Sequence, residues 1–122
     1  MSATHPIEGL WQPLKAELSG EAAPPMVLER MTLTLRSGRY TVHFGGEVSD
    51  QGNFTHGAAE PHALLTLAGE RGANAGKIIP AIFQLVGDRL RICFGLDGKL
   101  PAAFATNSTS RHYLVTYRRT AG

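Results

Sequence analysis

The chain has 122 residues, 43% hydrophobic and 18% charged, which fits one domain with one buried core and excludes two domains, a disordered chain or a charged tail. Glycine numbers 14 and proline 7, about one residue in six against roughly 12% in average usage, so turns are frequent and an all-helical bundle is disfavoured. The 12 Lys and Arg are nearly balanced by 10 Asp and Glu, giving a net charge of +2, and their even spread is too weak a field to argue for nucleic acid.

The opening Met1-Ser2-Ala3-Thr4-His5-Pro6-Ile7 has neither the basic start nor the apolar run of a secretory signal. Residues 1–8 therefore read as a tail, and the expected location is cytoplasmic. Residues 9–18 predict a first strand bent at Pro13. Pro24 and Pro25 ahead of Met26 place proline where a helix starts, so a helix of about two turns is expected before the next strand.

Residues 31–35 set Met31, Leu33 and Leu35 against Thr32 and Thr34, the two-residue period of a half-buried strand. After the turn Ser37-Gly38, Tyr40, Val42 and Phe44 continue the alternation against Thr41 and His43, completing a hairpin. Gly45-Gly46 and Asp50-Gln51-Gly52 bracket a connection, followed by a short strand around Asn53, Phe54 and Thr55. Residues 62–68 predict a strand through Leu64, Leu65 and Leu67, ending in a glycine-rich loop over residues 69–76.

The apolar run over residues 77–86 favours a strand by its β-branched content, with Pro80 at a bulge or edge. The turn at Gly87-Asp88 leads to Leu90, Ile92 and Phe94, a second hairpin. Residues 95–110 read as a long connection. Residues 112–118 close the chain as a strand with Tyr113, Val115 and Tyr117 on one face, and residues 120–122 form a tail.

About eight short consecutive strands describe an antiparallel meander, and closing it removes both open edges. The expected fold is all-β, an eight-stranded up-and-down barrel over residues 9–119 with one short helix after the first strand. Such a barrel is just wide enough to be filled by side chains or to hold one small ligand. No apolar stretch of about 18 residues offers a membrane span, so no membrane insertion is expected.

Gly9-Leu10-Trp11 fits the Gly-x-Trp signature of lipocalins and the wider calycin group. The order of later pieces strengthens the likeness: Leu33-Thr34-Leu35, Tyr40-Thr41-Val42, Gly52-Asn53-Phe54, Gly76-Lys77, Phe83, Gly87-Asp88-Arg89-Leu90, Cys93-Phe94, and Pro101 with Phe104. From Gly9 to Arg119 the chain resembles the small bacterial lipocalin-like domain family abundant in Planctomycetes, which has no assigned activity. Pro13, and a short, weakly charged segment at residues 57–62, depart from that pattern. The resemblance implies that Trp11 plugs the closed barrel end, with Gly9 beside it and an arginine of the last strand, Arg119 or Arg118, across the indole. It also implies occurrence beside signalling proteins, hence a possible protein partner.

The inward stripe supplies the candidate ligand-binding residues Tyr40, Val42, Phe44, Ile92, Phe94, Tyr113 and Val115, which either line a pocket or fill the barrel. A pocket would take a small apolar or amphipathic molecule, making the chain a binding module. The alternative is a protein-interaction or regulatory module with a filled barrel. A monomer or weak dimer is expected.

No catalytic set is legible, so an enzyme is not expected. Cys93 lacks a base or helix N-terminus and reads as a packed residue. The single cysteine excludes an internal disulfide, and no Gly-x-Ser-x-Gly elbow occurs around Ser108 and Ser110. The five histidines lack metal-ligand spacing and read as solvent-facing. His56 and His62 with Glu60 form the one constellation suited to a metal titration, but neither metal nor cofactor is expected.

Overall fold

The computed structural model describes residues 6–120. The elements in chain order are β1 (Gly9–Leu18), β2 (Glu21–Ala22), α1 (Pro25–Glu29), β3 (Met31–Arg36), β4 (Arg39–Phe44), β5 (Glu47–Gly57), β6 (Ala63–Gly72), β7 (Ile78–Val86), β8 (Arg89–Gly95) and β9 (His112–Thr120). Each strand from β3 to β9 pairs antiparallel with the next, and β1 pairs with both β3 and β9. The result is a closed eight-stranded antiparallel barrel with one extra strand, β2, and a single short helix, as the alternation and turn spacing imply.

Closure depends on how β1 divides its length. Its first residues, Gly9 to Trp11, pair with β3, while β9 follows it from Leu10 to Leu18 with a register shift between Pro13 and Lys15. The expected bend at Pro13 is thus a bulge in the closing seam, where a residue without an N–H does least harm. The far end of β1 turns through Ser19 and Gly20 into β2, a two-residue strand that the sequence reading passed over.

The reading also differs at β5 and β6. Asp50-Gln51-Gly52 lies inside an 11-residue strand rather than in a connection, and β6 runs on to Gly72. Asp and Gly are turn residues by propensity, but here Asp50 turns inward. Gly52 is the one residue type that fits, because a Cβ there would strike the Ala68 backbone carbonyl. The real turn is Gly45-Gly46, where both residues have positive φ, 61° and 87°, as a two-residue hairpin matching the twist of its strands requires. In β7, the ladder to β8 begins at Ala81, so β8 asks no bond of Pro80.

The residues flanking the barrel belong to it more than expected. Ile7, assigned to the N-terminal tail, is buried in the core, and Thr120 still bonds the Leu10 carbonyl through its hydroxyl. Residues 1–5 of that tail, including His5, and residues 121–122 lie outside the described residues.

The core cluster inside the barrel includes Trp11, Leu33, Leu35, Leu65, Leu90, Ile92 and Val115. A second apolar layer lies outside it, where Ile82, Cys93 and Leu114 stand in register across β7, β8 and β9. Residues 96–111 cover that layer: the Cys93 thiol reaches the Ala105 carbonyl at 3.8 Å and the Arg91 guanidinium lies 4.0 Å from the Phe104 ring centre. This long connection is tied back to β1 by Thr106, whose hydroxyl bonds Glu17 and accepts the Gly20 N–H. No helix among the described residues is long and apolar enough to cross a membrane.

Candidate functional site

One end of the barrel is sealed. Trp11 is fully buried, its Nε1 donates to the Ile7 carbonyl at 2.8 Å, and the Arg119 guanidinium carbon sits 4.3 Å from the ring centre. Arg119 faces Trp11 in the β1–β9 register, which decides between it and Arg118. Its guanidinium also donates to the carbonyls of Glu8 and Pro6. A Cβ at Gly9 would collide with that guanidinium, so the glycine leaves room for the arginine. The three expected plug residues come together.

The other end holds a chamber of about 220 Å³. Its walls are Leu33, Tyr40, Val42, Leu67, Ile79, Phe94, Tyr113 and Tyr117, and its rim is Met31, Thr32, Ser49, Ala73, Asn74 and Leu96. The rim residues come from strand ends and loops away from Trp11, and Ser49 and Ala73 are exposed, so the chamber meets solvent at the end opposite the plug. Among the expected ligand residues, Tyr40, Val42, Phe94 and Tyr113 line it.

Phe44, Ile92 and Val115 do not line the chamber. Phe44 ends β4 at the barrel's rim, 42% exposed, with the Arg30 guanidinium 5.7 Å from its ring centre. Ile92 and Val115 pair with one another and are fully buried in solid core. Strict alternation identifies the inward face, but only packing shows where along that face the space is left empty.

The chamber wall carries one residue that the sequence reading missed. Asp50 is 6% exposed, the one buried charged or polar residue of the core region among those described. The Tyr40 hydroxyl donates to its Oδ1 at 3.1 Å and the Asn74 amide to its Oδ2 at 2.6 Å. No Lys, Arg or His among the described residues forms an ion pair with it. The available signal was the alternation Asp50, Gly52, Phe54, all three buried, which the Asp-Gln-Gly turn composition masked. Asn74 was hidden in the glycine-rich loop, where only tertiary contact gives it a role.

All three tyrosines of the chain face this space, and each holds its proton more firmly than an exposed phenol. Burial is the leading cause at Tyr40, followed by the charge of Asp50 and its hydrogen bond. Burial alone raises Tyr113, and burial followed by Tyr113 raises Tyr117. An apolar chamber with neutral phenols and one carboxylate is suited to holding and orienting a small molecule.

The histidine constellation takes a different form from the one posed. His62 packs edge-on against Phe104 with ring centres 4.7 Å apart, and His56 lies 6.2 Å from Phe54. Among the described residues no group of three His, Cys, Asp or Glu side chains is placed to hold a metal. His112 is half-buried rather than solvent-facing, its Nε2 3.5 Å from Asp97 Oδ1.

No protein-family model matches the chain, and no curated protein or solved structure is significantly similar to it.

Proposed function

We propose that this protein is a non-enzymatic, lipocalin-like binding module that holds a small apolar or amphipathic molecule in the chamber opposite Trp11. The observation that carries the reading is the chamber itself, about 220 Å³ of space walled by aliphatic and aromatic side chains and open to solvent at one end. An apolar cavity of roughly 150 Å³ takes up benzene, so the ligand is a fragment of about ten non-hydrogen atoms or the apolar tip of something longer. A side-chain-filled barrel serving only as a protein-interaction module is less well supported, because the space is there.

The reading is tested by titrating isotope-labelled protein with toluene and indole while following backbone amide resonances. Binding in the chamber moves Val42, Leu67 and Phe94 and leaves the Trp11 indole unmoved. Absence of any shift, or shifts confined to the barrel exterior, overturns it.

A further inference from the structure

We infer that the chamber selects a ligand bearing a protonated amine over neutral or anionic molecules of the same shape, through the carboxylate of Asp50. The inference rests on the binding reading above and narrows it to a class of ligand.

A carboxylate removed from water is costly unless its charge is compensated. Asp50 is 6% exposed, yet both groups that reach it, the Tyr40 hydroxyl and the Asn74 amide, are neutral donors. Each oxygen accepts one of these bonds, while an ionised carboxyl offers about four acceptor positions, so acceptor capacity remains on a residue that lines the chamber. No Lys or Arg lines the chamber. The protein thus presents negative charge in an apolar space and keeps its own cations elsewhere.

An ammonium group entering the chamber gains an ion pair in a setting where water screens it poorly. The surrounding rings add to this. Phe94 and Tyr113 stack with centres 5.9 Å apart, and aromatic faces attract cations. Tyr117 is 5% exposed and lines the chamber, so its ring adds a further aromatic wall. An anion would meet the Asp50 carboxylate and the negative faces of the same rings, with no cationic group to receive it.

The test compares 2-phenylethylamine, 2-phenylethanol and phenylacetate, three probes of closely similar shape, by calorimetric titration of the whole protein. The expected result is at least tenfold tighter binding of the amine than of the alcohol, and no measurable binding of phenylacetate. Asp50→Asn keeps the shape and, with Asn74 turned over, the hydrogen bonds, and should reduce the amine's advantage to less than threefold. The contrast in the unaltered protein decides the matter if that variant fails to fold. Equal binding of amine and alcohol overturns the amine preference and leaves the binding reading standing. No binding of any of the three, together with no response to toluene or indole, overturns both.

Discussion

Arg119 lies over Trp11 with its guanidinium carbon 4.3 Å from the indole ring centre, and the two residues face one another across the β1–β9 seam. The indole is fully buried, so its removal leaves a large void at the barrel's sealed end. Trp11→Ala is expected to cost roughly 3–5 kcal/mol, measured by urea or thermal unfolding. Arg119→Gln should cost less, about 1–2 kcal/mol, from the lost cation–π contact and carbonyl bonds. An unchanged midpoint for Trp11→Ala would mean the indole is no structural plug.

Gly52→Ala tests the close approach of β5 and β6. The added methyl meets the Ala68 carbonyl, a backbone group that cannot swing aside. Overpacking of this kind typically costs about 1–3 kcal/mol. The same change at Gly46, whose added Cβ would meet nothing, is strained only by its φ of 87° and should cost less in a parallel melt.

Tyr40→Phe removes the donor to Asp50 Oδ1 and leaves a buried carboxylate with one bond fewer. The expected loss is about 1–3 kcal/mol at neutral pH. A stability equal to the unaltered protein would show that water supplies the missing bond.

The tyrosines predict alkaline sensitivity. Tyr40, Tyr113 and Tyr117 have phenol pKa values raised above the ordinary 10.0, chiefly by burial. Below that value both folded and unfolded chains keep the protons, so the folded state's preference costs nothing and stability is full. Above it the unfolded chain releases protons that the folded chain retains, and stability falls by about 1.4 kcal/mol per pH unit for each tyrosine. Unfolding followed by phenolate absorbance should therefore set in above pH 10 and be cooperative. Tyr113→Phe should make the pH dependence shallower.

Cys93 should be inert while the barrel is folded. It is fully buried beneath residues 96–111, and burial pushes its thiol pKa up against the smaller opposing effect of the Ala105 carbonyl contact. A disulfide reagent should modify it at the rate at which that connection opens, and at once in denaturant. Rapid modification in native buffer would mean that the connection is not held down.

The barrel was legible because its strands obey a two-residue period and its hairpins carry glycine at their corners, as at Ser37-Gly38 and Gly87-Asp88. Trp11 and Arg119 were legible as a pair through the resemblance, and only the register showed which of two adjacent arginines turns inward. Asp50 was not legible. Its neighbours have turn composition, and its inward orientation follows from pairing on both sides with β4 and β6, which local propensity cannot express. The chamber was only half legible for a related reason: alternation names the face of Ile92 and of Phe94 alike, whereas strand tilt and side-chain volume decide which of them borders empty space.

The seam that closes the barrel joins the first long strand to the final one, and Arg119 reaches back to the Glu8 carbonyl across 111 positions of sequence. The other pairings in the circle join consecutive strands from β3 to β9, and β1 reaches β3 across only β2 and α1. The hairpins are local contacts, whereas the pairing that completes the circle and the sealed end spans the greatest sequence separation and so carries the largest loop-closure entropy among the strand pairings. A chain ending before β9 would keep an open sheet with two unprotected edges and an indole without its cation. The chamber and the protection against edge-to-edge association thus depend on the same pairing.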